Sequence, residues 1–431
     1  MAEIIPFQSV RYNQDKVVIG DVATKPYDKI SAEEQEQYYA KSPYNFVRLI
    51  LGKQNSTDTP DNNRYTRAAQ CVQTWLEENV LIQEDTPAFY IYDQTFQCPG
   101  FPQMRRRALI GLGKVVPYSD KIVFPHERTL TGPKKDRLAL TEATQCQFGQ
   151  LFMLYKDKPQ DINKVIDNAI EPQEPVYNFT DETGIEHKVY IVTENSAVKA
   201  IQKNMSDKQL LIADGHHRYE TALNYYTAMK EKSPEKSEVY AYHLMSFVNI
   251  YDPGLLILPT HRVVRSVSND IIESYWDKIK NYFTVEPVKK DDFTIDMISD
   301  NSSIKLAVYR GDENIYILTL KDKQAINGFM TKGKPEAWYD LPVTVLHDVI
   351  LESIMGIDKE KLAAYTNVTY AENCAEGIKL VDKEKHQAAF FVPPTSIDSV
   401  CDIAFAGETM PQKSTDFYPK IYSGMVFNKL V

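Results

Sequence analysis

One segment of the chain, residues 211–222, constrains its fold more than any other. It reads Leu-Ile-Ala-Asp-Gly-His-His-Arg-Tyr-Glu-Thr-Ala, an apolar run, then a glycine, then a polar stretch with apolar residues at helical spacing. The apolar run predicts a buried strand over 210–213, and the spacing predicts a helix over 218–229. The first turn of a helix carries N–H groups without intrahelical partners and about half a positive charge. The strand–turn–helix unit therefore favours an anion.

The residues of the turn supply the groups that an anion needs. Gly215 allows a ligand to approach the backbone closely, so we assign it to phosphate binding. We assign Asp214, His216, His217 and Arg218 to catalysis. Arg218 can hold a phosphate in a bidentate fork, and Asp214 can bind a metal or accept a proton. Two alternatives stay open: Asp214 as a plain N-cap, and Arg218 in a surface salt bridge.

The chain is acidic, but its most distinctive motifs are basic. Among 431 residues, 49 Lys and Arg stand against 59 Asp and Glu, which gives a net charge of −10 at pH 7. That balance argues against a nucleic acid partner held by bulk charge. If the basic motifs converge, they form a cationic pocket that would concentrate a small phosphorylated metabolite or a nucleotide. The basic side chains assigned to phosphate binding are Arg128, Lys134, Lys135, Arg137, His261, Arg262, Lys413 and Lys420.

Hydroxyl and carboxylate groups accompany these basic residues. Thr129, Ser414 and Thr415 join the phosphate-binding set, although neither segment has the G-x-x-x-x-G-K-[ST] spacing of a P-loop. Glu127 is assigned to catalysis, as a general base for a substrate hydroxyl or as a ligand of Mg²⁺. An ion pair of Glu127 with a nearby arginine is the alternative. The sequence does not identify a set of metal ligands.

Several classes of protein are not indicated. The H-E-x-x-H, G-x-S-x-G and EF-hand patterns are absent, and Gly111-x-Gly113 predicts a tight turn rather than a dinucleotide fingerprint. Five cysteines without a C-x-x-C pair do not indicate a disulfide scaffold. The first residues lack a basic and apolar signal region, and polar residues interrupt the longest apolar stretch, 239–258. We therefore expect a cytoplasmic protein without a membrane span.

The remaining patterns predict a mixture of helices and strands. A capping box at Ser31 and Glu34 opens one helix, and helical spacing recurs over 271–282 and 343–355. We expect an α+β fold with mixed sheets, in two to three domains. The expected division is an N-terminal α/β domain over 1–160, a domain with the glycine turn over 161–268, and an α+β domain over 269–431.

The glycine turn resembles a known signature. The pattern D-G-H-H-R-Y-x-x-A resembles the strand–Gly-x-x-Arg–helix unit of the ParB/sulfiredoxin superfamily, which binds the phosphates of a nucleotide. Its members include chromosome-partition CTP switches, sulfiredoxins and free-serine kinases. His216 stands where sulfiredoxins have their nucleophilic cysteine, so the resemblance does not imply reduction of a sulfinic acid.

The chain as a whole resembles one branch of that superfamily, the domain of unknown function 1015 family. This resemblance implies a ParB/sulfiredoxin-like nucleotide-binding core inside a larger chain. The motifs that carry it, in chain order, are Pro26-Tyr27-Asp28; Pro125-His126-Glu127-Arg128-Thr129 with Pro133-Lys134-Lys135-Asp136-Arg137-Leu138; Asp214 to Ala222; Pro259-Thr260-His261-Arg262; and Met410-Pro411-Gln412-Lys413-Ser414-Thr415 with Phe417-Tyr418-Pro419-Lys420.

The resemblance and the basic motifs lead to one expected function and two alternatives. The expected function is phosphoryl transfer on a small hydroxyl metabolite, with serine or phosphoserine as the first candidate, Mg²⁺ as the metal and ATP or ADP as the phosphoryl donor. The alternatives are a phosphatase of the same phosphoester and a non-enzymatic nucleotide-binding switch. The sequence leaves the oligomeric state open.

Overall fold

The computed structural model describes residues 1–128, 132–300 and 302–430, and its strands and helices confirm the expected α+β class. The strands are β1 (Ile4–Ile5), β2 (Val10–Tyr12), β3 (Leu81–Gln83), β4 (Phe89–Phe96), β5 (Met104–Lys114), β6 (Val123–Phe124), β7 (Cys146–Gln147), β8 (Leu151–Tyr155), β9 (Tyr177–Thr180), β10 (Glu186–Val192), β11 (Leu210–Asp214), β12 (Tyr242–Asn249), β13 (Leu256–Leu258), β14 (His261–Val264), β15 (Phe283–Lys289), β16 (Lys305–Tyr309), β17 (Asn314–Leu320), β18 (Val368–Ala371), β19 (Ala388–Phe391), β20 (Asp416–Tyr418) and β21 (Asn428–Lys429).

Helices are found throughout the chain. The α-helices are α1 (Ile19–Val22), α2 (Ala32–Lys41), α3 (Val47–Ile50), α4 (Arg64–Glu77), α5 (Gly132–Thr144), α6 (Asp161–Ile170), α7 (Asn195–Met205), α8 (His216–Lys232), α9 (Asn269–Tyr282), α10 (Lys323–Ile326), α11 (Glu336–Tyr339), α12 (Pro342–Val345), α13 (Lys359–Ala363), α14 (Cys374–Glu384) and α15 (Ile397–Phe405). A π-helix spans Leu346–Ile354, and 3₁₀-helices span Tyr27–Lys29, Tyr118–Asp120, Pro234–Ala241, Lys290–Asp292 and Ile295–Ile298. Among the described helices, none is long and apolar enough to cross a membrane.

The chain divides into two compact units. The first unit comprises the described residues of 1–125, 129–256 and 419–431, and the second comprises those of 126–128 and 257–418. This division differs from the three segments expected from the sequence, with boundaries at 160 and 268. The main sheet of the first unit takes strands from both sides of residue 160, so no boundary between compact units falls there.

The first unit is built on a nine-stranded mixed sheet. Its strand order is β6-β11-β8-β12-β5-β4-β10-β9, with β1 paired to β5. The β6–β11 and β8–β12 pairs are parallel, and the other pairs are antiparallel. Strand β11, which leads into the glycine turn, therefore lies inside the sheet, between β6 and β8. Strands β9 and β10 form an antiparallel β-hairpin at the other end of the strand order.

The core of the first unit follows from the period of two along each strand. Alternate residues of β8, β11 and β12 point to the same side and join one apolar cluster. Helices α6 and α7 cover that side with residues spaced three or four apart. The helix residues in the cluster are Ile162, Ile166, Ile170, Ala197, Val198, Ile201 and Met205.

The second unit is built on a six-stranded antiparallel sheet. Its strand order is β15-β17-β16-β19-β14-β18. Helix α14 packs against this sheet through Leu380 and Val381, which join a cluster with Phe391 of β19 and Val263 of β14. The second unit thus has an apolar core of its own.

Two local expectations differ from the structure. The segment 343–355, predicted as one α-helix, is the short helix α12 followed by the π-helix. Gly111 and Gly113, predicted as a tight turn, lie inside β5. A Cβ atom would lie 2.5 Å from Met245 Sδ at Gly113 and 2.6 Å from Phe89 Cε1 at Gly111. These glycines therefore make room for neighbouring core side chains.

Candidate active site

The glycine turn has the predicted strand–turn–helix form. Strand β11 ends at Asp214, Gly215 occupies the N-cap, and α8 begins at His216. The helix starts two residues earlier than the spacing predicted. Gly215 has φ +96°, a left-handed conformation that favours glycine. Because Gly215 is the N-cap residue, Asp214 is not the plain N-cap that one interpretation expected.

The guanidinium of Arg218 is fixed at the start of α8. It donates to the carbonyl of Gln150 and, over 2.9 Å, to Asp214 Oδ2. These bonds occupy two of the five N–H donors of the guanidinium. The side chain is only 10% exposed, so the ion pair with Asp214 is not the surface salt bridge of the alternative interpretation. A Cβ atom on Gly149 or on Gly215 would come within 3.1 Å of this side chain, so two glycines leave room for it.

A cleft of the first unit opens beside Arg218, with about 770 Å³ of empty space including its open mouth. A second arginine, Arg137 of α5, lines the same cleft. It pairs with Asp136, donates to the carbonyl of Ile50 over 2.9 Å, and stacks on the ring of Tyr27 at 3.8 Å. Besides Arg218, the wall includes Pro26, Tyr27, Arg137, Phe148, Tyr225, Tyr240 and His243. The cleft thus combines two cations with several aromatic rings.

Sequence reasoning did not assign Tyr27 or His243 to the site. Tyr27 belongs to one of the motifs that carry the family resemblance, which was a usable signal. Burial raises the pKa of Tyr27, and the charge of Arg218 opposes that rise. His243 lies alone in a strand of ordinary pattern, and the sequence gives no signal for it.

His243 is a neutral imidazole in this cleft. Burial lowers its pKa to about 4, and the charge of Arg218 acts in the same direction. Its Nδ1 donates to the carbonyl of Leu244 over 3.0 Å, because a carbonyl can only accept. Nε2 therefore carries the lone pair and can accept a hydrogen bond from a ligand hydroxyl.

The other predicted residues described in the first unit do not line the cleft. His216 is buried and His217 is half-buried, and neither lines the cleft. Lys134 forms an ion pair with Glu220 of α8, and Lys135 is exposed. Lys420 is half-buried, and its carbonyl accepts from Gln94 over 3.0 Å. Thr129 lies outside the described residues.

In the second unit, several predicted residues hold the segment 410–415 in place. Glu127 Oε1 accepts the backbone N–H of Lys413 over 3.1 Å. The carbonyl of Ser414 accepts from Thr395, and Thr415 Oγ1 lies 2.8 Å from His126 Nε2. Lys413 has φ +59°, which is uncommon for a residue other than glycine.

His261 and Arg262 differ from the phosphate-binding role expected of them, because both are buried. Burial lowers the pKa of His261 to about 3, and its Nδ1 accepts the N–H of Val392. Arg262 is fully buried, and burial lowers its pKa to about 10. Its N–H groups donate to His347 Nε2 and to the carbonyls of Thr260, Gln412 and Lys413. Arg262 thus holds the segment 410–415 in place through the carbonyls of Gln412 and Lys413.

The predicted residues fall into two groups by compact unit. Those of the first unit are Lys134, Lys135, Arg137, Asp214, Gly215, His216, His217, Arg218 and Lys420, and those of the second are Glu127, Arg128, His261, Arg262, Lys413, Ser414 and Thr415. Convergence of all of them on one cleft stays a prediction. Over the described parts of the chain, no group of three or more His, Cys, Asp and Glu side chains is arranged to hold a metal ion. The expected Mg²⁺ therefore also stays a prediction.

Solved structures with similarity to this chain have low sequence identity. A conserved hypothetical protein from Pyrococcus furiosus is 12% identical with a TM-score of 0.36, over 75% of this chain and 95% of that chain. A free serine kinase in complex with AMP is 10% identical with a TM-score of 0.34, over 72% of this chain and 86% of that chain. SbnI with C-terminal truncation from Staphylococcus aureus is 11% identical with a TM-score of 0.34, over 72% of this chain and 84% of that chain.

No curated protein matches the chain. A family model, described as "Protein of unknown function (DUF1015)", matches residues 4–344. That match includes four of the five motif groups from which the resemblance was inferred, and it extends over most of the 431 residues. The chain therefore belongs to the DUF1015 family.

Proposed function

We propose that the first unit binds a phosphorylated ligand in the cleft beside Arg218 and transfers a phosphoryl group to or from a small hydroxyl metabolite. One observation carries the proposal: two guanidinium groups from separate segments, Arg137 and Arg218, line a single cleft. Guanidinium is the side-chain group best suited to bidentate contact with phosphate. Arg218 keeps three N–H donors beyond those bonded to Asp214 and Gln150, so it can contact a phosphate without leaving its place.

The rings of the cleft suit the base of a nucleotide. Tyr27, Phe148, Tyr225 and Tyr240 line the wall, and flat aromatic faces stack on bases. Arg137 already covers one of these rings, Tyr27, with its guanidinium. A nucleotide such as ATP or ADP is therefore the proposed phosphoryl donor, and its Mg²⁺ would supply further charge neutralisation of the phosphates.

His243 would accept the hydrogen of the substrate hydroxyl through Nε2. Its low pKa makes it a weak base in the free protein. A bound phosphate would offset the charge of Arg218, which now helps to keep that pKa low, so ligand binding would raise the pKa towards the working range. L-serine is the first acceptor to test, because the glycine turn resembles the unit that free-serine kinases share.

The test is a turnover assay with the purified full-length protein. We expect ATP or ADP with L-serine, or with another small hydroxyl metabolite, to yield a phosphoester. Arg218→Ala and Arg137→Ala should each lower kcat/KM by about 100- to 1000-fold. His243→Gln should lower kcat by at least about 100-fold with little change in KM.

Arg105→Ala is the matched control, because Arg105 is in the same unit, is 54% exposed and does not line the cleft. It should leave turnover within a few-fold of the parent. Release of phosphate from phosphoserine in the absence of nucleotide, without formation of a phosphoester from ATP or ADP, would indicate the phosphatase instead. Saturable nucleotide binding without turnover would indicate the switch. If no nucleotide or phosphoester binds, the proposal is wrong.

A further inference from the structure

The second unit contains a cavity that the proposed function does not use. It has about 900 Å³ of empty space including its open mouth. Two motifs without a role so far contribute to its wall: Arg128, and the segment Met410-Pro411-Gln412 that Arg262 and His126 hold in place. The π-helix Leu346–Ile354 forms another part of the wall.

The π-helix brings two carboxylates to this cavity. Its hydrogen bonds join residues five apart, so residues four and five positions apart share a face, and His347, Asp348 and Glu352 all line the cavity. Asp348 is only 3% exposed, and its Oδ2 accepts the N–H of Thr331 over 2.7 Å. Neither carboxylate has an ion pair among the described residues. A buried carboxylate costs free energy unless it is paired with a cation, and the ammonium group of a ligand can be that cation.

The same cavity also has cations in its wall, and two of them, Arg128 and Lys359, have no ion pair among the described residues. Lys334 forms an ion pair with Glu408, and Lys359 donates to Thr331 Oγ1 over 3.1 Å. Arg128 lines the cavity without a hydrogen bond or ion pair to any described residue. The wall therefore presents positive and negative groups that do not neutralise each other.

Apolar and aromatic surface completes the wall. Trp338, Leu362, Tyr370 and Met410 line the cavity. Trp338 is 4% exposed, and its Nε1 has no hydrogen-bond partner among the described residues. Buried donors of this kind are rare in folded proteins and need an explanation. A ligand that brings an acceptor into the cavity provides one.

We propose that this cavity binds a zwitterionic α-amino acid with an apolar side chain. Asp348 and Glu352 contact the ammonium group. Arg128 contacts the carboxylate, which also accepts the N–H of Trp338 Nε1. The side chain of the ligand packs against Trp338 and Leu362. This site lies wholly among residues of the second unit, and the proposal does not depend on phosphoryl transfer in the first.

The test is calorimetric titration of the full-length protein with L-phenylalanine, L-leucine and two half-molecules, phenethylamine and 3-phenylpropanoate. We expect saturable binding of both amino acids, and at least about tenfold weaker binding of each half-molecule, because each loses one charged contact. Equal binding of either half-molecule would overturn the zwitterion. Absence of binding by both amino acids would overturn the site.

Two substitutions assign the charges. Glu352→Gln and Arg128→Gln should each weaken binding of L-phenylalanine by at least about tenfold. Phenethylamine should respond only to Glu352→Gln, and 3-phenylpropanoate only to Arg128→Gln. Glu286→Gln and Arg265→Gln are the matched controls, because both residues are exposed in the same unit and neither lines the cavity. If the controls weaken binding as much as the cavity variants do, the proposal is wrong.

Discussion

Two glycines, Gly149 and Gly215, leave room for the guanidinium of Arg218 at the cleft. We expect Gly215→Ala to lower the free energy of unfolding by about 1–3 kcal/mol, because φ is +96° and L residues are strained there. The added Cβ would also lie 3.1 Å from Arg218 Cζ, so nucleotide binding should weaken as well. Urea unfolding and a nucleotide titration measure the two effects.

Gly184→Ala is the control for this prediction. Gly184 has φ +85°, but a Cβ there would have nothing within 4 Å. It should therefore show the conformational cost without any loss of nucleotide binding. If both variants bind nucleotide equally well, Gly215 acts only on the backbone.

The buried guanidinium of Arg262 leads to a prediction about stability alone. We expect Arg262→Lys to lower the free energy of unfolding by about 2–4 kcal/mol, because an ammonium cannot reach the four acceptors that the buried guanidinium now satisfies. Arg265→Lys is the comparison, since Arg265 follows the same strand and is exposed, and its guanidinium donates only to the carbonyl of Tyr365 among the described residues. Thermal unfolding of both variants is the measurement, and an equal effect would contradict the buried role.

Some properties of single residues could be predicted from the sequence, and others could not. The chemistry of Gly215 and Arg218 is local to one turn, and the sequence predicted their placement at the start of a helix. The low pKa of His243, which lies in strand β12, depends on burial beside Arg218, which lies on helix α8. The burial of Arg262 runs against the usual exposure of arginine. Neither property is encoded in neighbouring residues.

Among the elements, the turn after β12 illustrates how closely backbone can pack on backbone. A Cβ on Gly254 would lie 2.4 Å from the carbonyl of Arg105 in β5. We expect Gly254→Ala to lower the free energy of unfolding by about 1–3 kcal/mol, because the clash is with main chain and cannot be relieved by a side-chain rotation.

Gly20→Ala provides the comparison within the same unit. Its nearest contact would be Phe179 at 3.5 Å, an ordinary van der Waals distance. It should be neutral or slightly stabilising, since alanine favours a helix over glycine. Chemical denaturation of the pair checks the prediction, and equal stabilities would contradict it.

Elements with strong local signals were predicted well. The capping box at Ser31 and Glu34 is present at the start of α2, and the apolar run 210–213 is the strand β11. The π-helix was predicted as part of an α-helix. Its sequence is apolar and rich in buried residues, so the spacing of apolar residues does not distinguish an α-helix, whose hydrogen bonds join residues four apart, from a π-helix, whose hydrogen bonds join residues five apart.

For the whole molecule, three neutral imidazoles among the described residues, two of them buried and that of His243 half-buried, contribute to the response to mild acid. Burial lowers the pKa of His243 to about 4, that of His261 to about 3 and that of His347 well below its usual value. The unfolded chain binds these protons near pH 6.5, so it holds more protons than the folded chain below that pH. Their contribution to stability is therefore present above about pH 6.5 and is lost as the pH falls towards 4.

We expect the free energy of unfolding to fall by up to about 1.4 kcal/mol per pH unit for each histidine below that pH. Urea unfolding between about pH 7 and pH 5 measures the slope, above the range in which most carboxylates titrate. His243→Gln should reduce the slope by the share of one histidine. A free energy that does not change over this range would contradict the prediction.

The division of the whole chain was the least predictable feature. The second unit takes residues 126–128 from the middle of the first, and the chain returns to the first at residue 419. Composition does not reveal the points at which the chain passes from one unit to the other. Linkers are recognised in a sequence as polar and proline-rich stretches, and the chain passes between these units without a long stretch of that kind. The α+β class could be predicted, since it needs only the mixture of elements.

The two glycines around Arg218 limit how far the site can be transplanted. The motif from Asp214 to Arg218 carries the donor and one of the glycines, whereas Gly149 precedes strand β8 and lies far upstream in the sequence. Grafting the five-residue motif onto another scaffold would therefore transfer Arg218 and Gly215 without Gly149, the second glycine that leaves room for the arginine side chain. A transferable version of the site needs both segments. A search for related sequences that requires both glycines should therefore distinguish chains that can accommodate this arginine from chains that only contain the turn.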